Sequence, residues 1–183
     1  MSEKTYCAGE MSAVTLHHIS GREDTVARMV IAVVGSGECD ARVAAMAREI
    51  GMLIAQRGTV LVTGGSTGVM EAASQGAHEA GGLVVGILPG LDVGDANPWV
   101  DVAIPTGMGQ LRNGLVVNSA SAVIAVAGEW GTLSEIGLAR KAGKTVIGLQ
   151  TWRLSRPDGA ADDIVHVDTP AQAVERAFSL SVR

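Results

Sequence analysis

Aromatic residues are scarce in this chain. Phe, Trp and Tyr together make up 3% of its 183 residues, whereas hydrophobic residues make up 47%. The core must therefore consist of Val, Ile, Leu, Met and Ala, a composition typical of buried parallel strands covered by helices. A chain of this length fits one domain and buries about 70% of its extended surface in a single core.

The chain also lacks cysteine pairs, a secretory signal and membrane-length apolar runs. Cys7 and Cys39 form neither a CxxC pair nor a disulfide framework, and the first ten residues are charged and contain no apolar segment. No apolar run approaches the roughly 18 residues of a membrane span. These absences predict a reducing, cytoplasmic setting and no membrane partner.

Two further partner classes are disfavoured. The net charge is −5, with 14 basic against 19 acidic residues, whereas nucleic-acid-binding domains normally carry a basic footprint. We therefore expect no nucleic-acid partner, which argues against DNA processing. The four histidines, at positions 17, 18, 78 and 166, show no spacing typical of metal ligands, and no metal site is predicted.

Glycine, by contrast, is abundant, and its 24 residues punctuate a repeating pattern. Residues 30–34 form a short β-branched run that stops at a glycine turn, and helical periodicity follows over residues 43–54, with Asp40 placed to cap the helix. The same order then repeats. Further strands are predicted at 59–62, 83–88, 100–104, from 123, at 145–149 and at 164–167, and further helices at 69–79, 108–119, 132–141 and from 169 onward.

Strands that alternate with helices of about ten residues predict a parallel sheet with right-handed crossovers. The expected fold is an α/β, doubly wound, Rossmann-like parallel sheet in a single domain over residues 29–183. Residues 1–28 show no sustained period, so we expect a loosely packed N-terminal extension with one short strand around residues 13–16. Ligands of such sheets bind beyond the carboxyl ends of the strands.

Residues 123–135 are the strongest candidate for a ligand site. An apolar strand breaks at Gly128 and a helix restarts near Thr132. Unpaired backbone N–H groups and the positive end of a helix dipole would therefore face one pocket, an arrangement that favours anions.

The other glycine turns carry no standard nucleotide fingerprint. The turn at residues 35–37 is followed by Asp40 where a third glycine would stand, and the turn at residues 64–68 lacks a following Lys-Ser/Thr. Each turn alone is ordinary punctuation between a strand and a helix, but several at one sheet edge favour a phosphate-bearing ligand. The predicted phosphate-binding residues are Gly35, Ser36, Gly64, Gly65, Ser66, Thr67, Gly68, Gly128, Glu129, Trp130, Gly131 and Thr132.

Two side chains near these turns have both a structural and a functional interpretation. Thr132 and Glu135 match a capping box, in which the glutamate only satisfies the cap. Alternatively, Glu135 stays ionised at the helix start and stabilises a ribosyl cation or aligns water. Arg112 is either a solvated surface residue or a bidentate phosphate clamp.

Four motifs occur in order along the chain, namely Gly64-Gly-Ser-Thr-Gly-Val-Met70, Val85-Gly-Ile-Leu-Pro89, Arg112-Asn113 and Gly128-Glu-Trp-Gly-Thr-Leu-Ser-Glu135. Together they resemble the Lonely Guy (LOG) family, and most closely the LOG-like branch that contains molybdenum cofactor carrier proteins and many uncharacterised bacterial members. The resemblance extends over about residues 29–149. It implies a nucleotide-binding site, and it is less specific for a reaction.

LOG enzymes are phosphoribohydrolases that release an adenine-type base from a nucleoside 5′-monophosphate, using an Arg-Lys pair and a Pro-Gly-Gly-x-Gly-Thr-x-x-Glu loop. By this resemblance, Arg112 and Glu135 match the catalytic arginine and glutamate. This chain departs from the pattern at three positions, because Asn113 replaces lysine, Ala127 replaces proline and Glu129 replaces the second glycine.

The resemblance therefore implies two alternative functions. The first is a phosphoribohydrolase that releases a purine or cytokinin-type base from a nucleotide such as AMP, with no cofactor required. The alternative is a non-catalytic carrier or sensor of a phosphorylated ligand such as molybdenum cofactor, which the departures at Asn113 and Glu129 favour. In either case the resemblance implies a homodimer or a higher homo-oligomer, and enzymatic activity stays open at this point.

Overall fold

A computed structural model describes residues 28–155, 157–160 and 163–181. In this part of the chain, strands and α-helices follow one another in the order that the sequence predicts. The strands are β1 (Val30–Gly35), β2 (Val60–Thr63), β3 (Val84–Leu88), β4 (Val102–Pro105), β5 (Ala122–Val126), β6 (Thr145–Leu149) and β7 (Val165–Val167). The α-helices are α1 (Ala41–Gln56), α2 (Val69–Glu79), α3 (Asn113–Asn118), α4 (Trp130–Lys141) and α5 (Pro170–Ser181).

The strands form one parallel sheet in the order β4-β3-β2-β1-β5-β6-β7. The chain runs outward from β1 to β4 on one side and then returns to place β5 on the other side of β1. The strand order therefore reverses between β1 and β5, and the crevice above such a reversal is where doubly wound sheets bind ligands. The predicted α/β, doubly wound, Rossmann-like fold is confirmed.

Both faces of the sheet are covered by helices, and the residues of β1 alternate between them. Ile31 and Val33 pack with buried residues of α1, α2 and α5, whereas Ala32 and Val34 pack with buried residues of α3 and α4. This alternation follows from the two-residue period of a strand. The largest fully buried side chains are Ile, Leu and Val, as the aromatic-poor composition predicts.

Three elements differ most from the sequence predictions. The helix predicted at residues 108–119 is a 3₁₀ helix (Gly109–Arg112) followed by α3, because Gly107 and Gly109 have positive φ angles that interrupt a regular helix start. Helix α4 begins at Trp130, two residues before the expected start. The strand predicted from residue 100 begins at Val102. The predicted cap of α1 is confirmed, since Asp40 Oδ1 accepts a hydrogen bond from the Val43 N–H at 2.8 Å.

The N-terminal extension predicted for residues 1–28 lies outside the described residues except for Arg28. The same holds for the strand expected around residues 13–16 and for Cys7. Among the helices that the structure describes, none is long and apolar enough to cross a membrane.

Candidate functional site

A cavity of about 260 Å³ lies at the carboxyl ends of the strands, above the reversal between β1 and β5. It is lined by Gly35, Ser36, Gly37, Ser66, Met70, Pro89, Gln110, Arg112, Asn113, Glu129, Gly131, Thr132 and Glu135. A larger groove of about 490 Å³ runs between α1 and α2. That groove is lined by helix residues alone and is remote from the glycine turns, so the cavity at the strand ends is the candidate site.

The turn after β1 is held tightly against the start of α2. A side chain at Gly35 would lie 2.5 Å from Val69 Cγ1 and 2.7 Å from the Val126 carbonyl oxygen, so only glycine fits. The Val69 N–H donates to the Ser36 carbonyl at 3.0 Å, and Thr67 Oγ1 donates to the Gly37 carbonyl at 2.8 Å. These bonds fix the first glycine turn beside the second one.

The second glycine turn is anchored from the loop after β3. The Asn97 N–H donates to the Gly65 carbonyl at 2.8 Å, and Asn97 Nδ2 donates to the Ser66 carbonyl at 2.9 Å. The Gly65 N–H in turn donates to Thr63 Oγ1 at 3.0 Å. Asn97 is buried and therefore positions the turn that contributes Ser66 to the cavity.

The third turn joins β5 to α4 through two left-handed residues, Ala127 with φ 48° and Gly128 with φ 109°. A side chain at Gly128 would clash with Thr132, whose Cβ and Oγ1 lie 2.5 Å from that position. Glu129 occupies the N-cap position of α4, and its side chain accepts no hydrogen bond from the first turn of the helix. The N-terminus of α4 therefore faces the cavity without a side-chain cap, which suits an anion.

Arg112 and Glu135 form a buried pair in the cavity wall. Arg112 Nη1 lies 3.4 Å from Glu135 Oε1, and their side chains are 7% and 6% exposed. Arg112 Nη1 also donates to Asn113 Oδ1 at 2.5 Å. The interpretation of Arg112 as a solvated surface residue is therefore wrong.

Asn113 extends this pair toward the third glycine turn. Its Nδ2 donates to Ser134 Oγ at 3.0 Å, and Ser134 Oγ donates to the Gly131 carbonyl at 2.7 Å. A continuous set of hydrogen bonds thus connects the guanidinium of Arg112 with the first turn of α4.

The electrostatics of Glu135 differ from the sequence expectation. Burial raises its pKa to about 7, although the neighbouring Arg112 guanidinium opposes that shift. Burial also lowers the pKa of Arg112. Glu135 lies in the second turn of α4, beyond the uncapped N–H groups, so the helix start does not keep it fully ionised. The capping-box interpretation is also wrong, because Thr132 is the third residue of α4 and Glu129 occupies the cap.

Two buried polar atoms of the cavity wall have no hydrogen-bond partner among the described residues, namely Arg112 Nε and Thr132 Oγ1. A buried polar group without a partner costs about 1–3 kcal/mol, and native proteins rarely retain one without a reason. Both atoms belong to residues that line the cavity.

The predicted phosphate-binding residues divide into two groups. Gly35, Ser36, Ser66, Glu129, Gly131 and Thr132 line the cavity together with Arg112 and Glu135. The remaining residues support the turns or face away, and they are Gly64, Gly65, Thr67, Gly68, Gly128 and Trp130. Gly64 lies against Arg112, whose guanidinium a side chain at that position would displace. Trp130 is 76% exposed, and its ring lies 5.2 Å from that of Trp152.

The sequence analysis missed five lining residues: Gly37, Met70, Pro89, Gln110 and Asn113. Gly37, Pro89 and Asn113 lie inside or beside the glycine turns and motifs of the sequence analysis, so their position in the sequence could have marked them as lining residues. Met70 is the last residue of the first motif and so had the same signal. Gln110 had none, because its approach depends on how the 3₁₀ helix packs. Within the described residues, no group of three or more His, Cys, Asp or Glu side chains is arranged to hold a metal ion.

Comparison with known proteins identifies the family. A family model described as the SLOG cluster4 family matches residues 28–174. The chain belongs to the SLOG cluster4 family. This result confirms the LOG-like resemblance that the four motifs indicate.

Individual relatives extend over nearly all of the described chain. The chain is 43% identical over 156 residues to an uncharacterized protein of Archaeoglobus fulgidus. The matched region covers 85% of this chain and 98% of that protein. It is similar to the molybdenum cofactor binding protein of the phototrophic bacterium Rippkaea orientalis, with 39% identity, a TM-score of 0.78 and coverage of 85% and 99%. The molybdenum cofactor carrier protein of Chlamydomonas reinhardtii shows 32% identity, a TM-score of 0.73 and coverage of 85% and 99%.

Proposed function

We propose that this chain binds a small phosphorylated ligand in the cavity at the strand ends and acts as its carrier or sensor, with molybdenum cofactor as the leading candidate cargo. The observation that carries the proposal is the pair of buried, unpartnered atoms, Arg112 Nε and Thr132 Oγ1, beside the uncapped start of α4. The similarity to molybdenum cofactor binding and carrier proteins supports this choice of cargo.

The phosphate would lie between the turn at residues 35–37 and the first turn of α4. Backbone N–H groups at Gly131 and Thr132, with the dipole of α4, would each favour an anion by a few tenths of a kcal/mol to about 1 kcal/mol. Arg112 would add a charge-assisted hydrogen bond, which is roughly twice as strong as a neutral one. Serine hydroxyls at Ser36 and Ser66 complete a set of donors on the cavity wall.

The carboxylate of Glu129 does not prevent phosphate binding. Glu129 is exposed, and two charges about 4 Å apart in water interact by only about 1 kcal/mol. Mobile ions reduce this repulsion further. The N-cap carboxylate therefore weakens the site without closing it.

The backbone at Ala127 supports the carrier over the hydrolase. Ala127 has φ 48°, whereas the ring of proline locks φ near −65°. The Pro-Gly-Gly loop of LOG enzymes is therefore incompatible with this turn as it is built here. The turn still presents the start of α4, so it retains the anion site while departing from the catalytic loop.

The cavity fits the phosphate end of molybdenum cofactor better than its metal end. Its wall offers hydroxyl, guanidinium and backbone donors, and Glu129 and Glu135 are the acidic residues in it. Among the residues that the structure describes, no cysteine or histidine lines the cavity. The protein would therefore hold this cargo through its phosphate and ring system and leave the metal unligated by its described residues.

A phosphoribohydrolase is the second candidate, and the Glu135 carboxyl favours it. A pKa of about 7 suits proton transfer near neutral pH. In this reaction water adds to C1′ of the ribose, the C1′–N bond breaks, and the base leaves with the bonding electron pair and takes a proton. Glu135 would stabilise the oxocarbenium-like transition state or activate the water, and Arg112 would orient the substrate.

One experiment separates the two candidates. The purified protein is analysed by mass spectrometry for retained small molecules and is then incubated with AMP and with isopentenyladenosine monophosphate, with Glu135→Gln in parallel. A retained pterin and no free base on chromatography are expected for a carrier. Base release that disappears in Glu135→Gln would establish the hydrolase instead. A folded protein that retains no ligand, binds no added phosphate ester and releases no base would contradict both.

We also propose that the chain forms a homo-oligomer, as the LOG resemblance implies. Exposed apolar side chains occur on β4, on the segment that follows it and on α3. Such a patch on a small protein commonly marks an interaction surface, and a second copy of the chain would cover it. The patch comprises Val102, Ile104, Met108, Leu111 and Leu115.

A further inference from the structure

The candidate cavity extends well beyond its phosphate end. Its lining residues lie at the ends of four adjacent strands. Gly35 ends β1, Ser66 follows β2, Pro89 follows β3, and the start of α4 follows β5. Neighbouring strands lie about 4.8 Å apart, so three intervals span about 14 Å along the sheet edge. This length accommodates a phosphate, a linking sugar or ring and a planar heterocycle in one extended ligand.

The two ends of the cavity differ in chemistry. The end above β5 and β1 offers backbone N–H groups and hydroxyls. The end above β2 and β3 is formed by Met70, which is 8% exposed, by the half-buried Pro89, by the amide of Gln110 and, at its inner side, by Ser66. A thioether and a pyrrolidine ring are apolar and polarizable, and methionine sulfur makes favourable contacts with aromatic rings.

Arg112 marks the boundary between these two ends. A side chain placed on Gly64 would clash with the Arg112 guanidinium and lie 2.8 Å from Met70 Sδ, so the two groups converge above Gly64. A ligand whose phosphate reaches Arg112 from the α4 side would therefore place its next ring beside Met70. Gln110 precedes Arg112 by two residues in the 3₁₀ helix and lines the same end.

We propose that Gln110 selects the planar nitrogen heterocycle of the ligand by pairing with its edge, while Met70 and Pro89 contact its faces. The inference rests on the proposed function, because it assumes a phosphate anchored at α4. A glutamine amide presents an acceptor beside two donors. It therefore matches a ring edge that shows a donor next to an acceptor, which adenine and pterin rings both have.

The amide of Gln110 is available for this pairing. Gln110 is exposed, and among the described residues no hydrogen bond engages its side chain. Its neighbour Arg112 is fixed by Asn113 and Glu135, so the backbone that carries Gln110 is held while its amide stays free to turn toward a ligand.

The test compares dissociation constants for three probes: AMP, a pterin monophosphate ester and ribose 5-phosphate, which carries the phosphate without a heterocycle. The proteins are the wild type, Gln110→Leu and Gln56→Leu, an exposed glutamine on α1 that serves as a matched control. Chromatography after each titration verifies that AMP is intact. We expect Gln110→Leu to weaken the preferred ring-bearing probe about tenfold, the cost of one bidentate pair, and to leave ribose 5-phosphate unchanged.

The outcomes distinguish a failure of the proposed role of Gln110 from a failure of the proposed phosphate-binding function. A wild type that binds ribose 5-phosphate as tightly as both ring-bearing probes would overturn the ring-selecting role of Gln110 and leave the phosphate site standing. So would a Gln110→Leu protein that binds all three probes like Gln56→Leu. Binding of none of the probes would overturn the proposed function itself. Preference for AMP or for the pterin ester identifies the ring class.

Discussion

Arg112 Nη1 and Glu135 Oε1 lie 3.4 Å apart in the cavity wall, where both side chains are buried. This relationship joins two elements that are distant in sequence, the 3₁₀ helix before α3 and the second turn of α4. Partial desolvation makes the charge of Glu135 costly even beside a cation, which is why its pKa is raised to about 7.

The raised pKa of Glu135 predicts a pH dependence of stability. Glu135 titrates near 4.5 in the unfolded chain and at about 7 in the folded protein, so between these values the folded state binds more protons. The contribution of Glu135 to the free energy of unfolding is therefore fully present below pH 4.5. It is lost as the pH rises through 7, and the total loss is about 3 kcal/mol. Urea unfolding of the wild type and of Glu135→Gln from pH 4 to 8 measures this loss. Parallel curves for the two proteins would contradict the assignment.

Thr132 and Thr63 offer a matched test of the phosphate site, because both are buried and only one hydroxyl has a partner. Thr132 Oγ1 has no partner among the described residues, whereas Thr63 Oγ1 accepts from the Gly65 N–H at 3.0 Å. We expect Thr132→Val to keep or raise the free energy of unfolding, by up to about 1 kcal/mol, and to weaken ribose 5-phosphate binding severalfold. Thr63→Val should instead lower the free energy of unfolding by about 1 kcal/mol or more. Unchanged phosphate binding in Thr132→Val would remove Thr132 from the site.

The LOG-type lysine is expected to be harmful at Asn113. Asn113 is buried between Arg112 and Ser134, so a lysine there would bury a second cation beside the first and lower the free energy of unfolding by roughly 3 kcal/mol. Asn118→Lys, at the exposed end of α3, is the control and should change stability by less than about 0.5 kcal/mol. A stable Asn113→Lys protein that newly releases the base from AMP would favour the phosphoribohydrolase hypothesis.

Ala127 is expected to reject the LOG-type proline for a backbone reason. Its φ is 48°, and its N–H donates to the Leu149 carbonyl at 3.0 Å. Ala127→Pro can satisfy neither feature and should lower the free energy of unfolding by roughly 3 kcal/mol or more. Ala127→Gly, which tolerates this φ, should remain within about 1 kcal/mol of the wild type. Equal stability of the proline and glycine variants in urea unfolding would contradict the turn geometry.

The proposed homo-oligomer predicts a mass of at least two chains by light scattering. Leu111 is the most exposed residue of the apolar patch, at 78%, so Leu111→Glu would place a charge in the interface and should shift the mass toward one chain. Leu83→Glu, a substitution of an exposed leucine outside the patch, is the control. A monomeric wild type would overturn the proposal, and an oligomer that Leu111→Glu leaves intact would move the interface elsewhere.

The sequence by itself determined the fold. Hydrophobic period, glycine punctuation and the Asp40 cap are local signals, and alternation of strands with helices admits few topologies once crossovers are right-handed. The same local signals predicted that the turns at residues 35–37, 64–68 and 128–131 form one ligand site, because the carboxyl ends of parallel strands meet at one edge of the sheet.

Only the tertiary structure decided which of these residues share a cavity and in what electrostatic state. Gln110 reaches the cavity because the 3₁₀ helix packs beside β3, and no sequence spacing encodes that approach. The sequence predicts that Glu135 is a capping residue or an ionised carboxylate, yet burial raises its pKa. Desolvation depends on the atoms that surround a group, and most of those atoms come from distant parts of the chain.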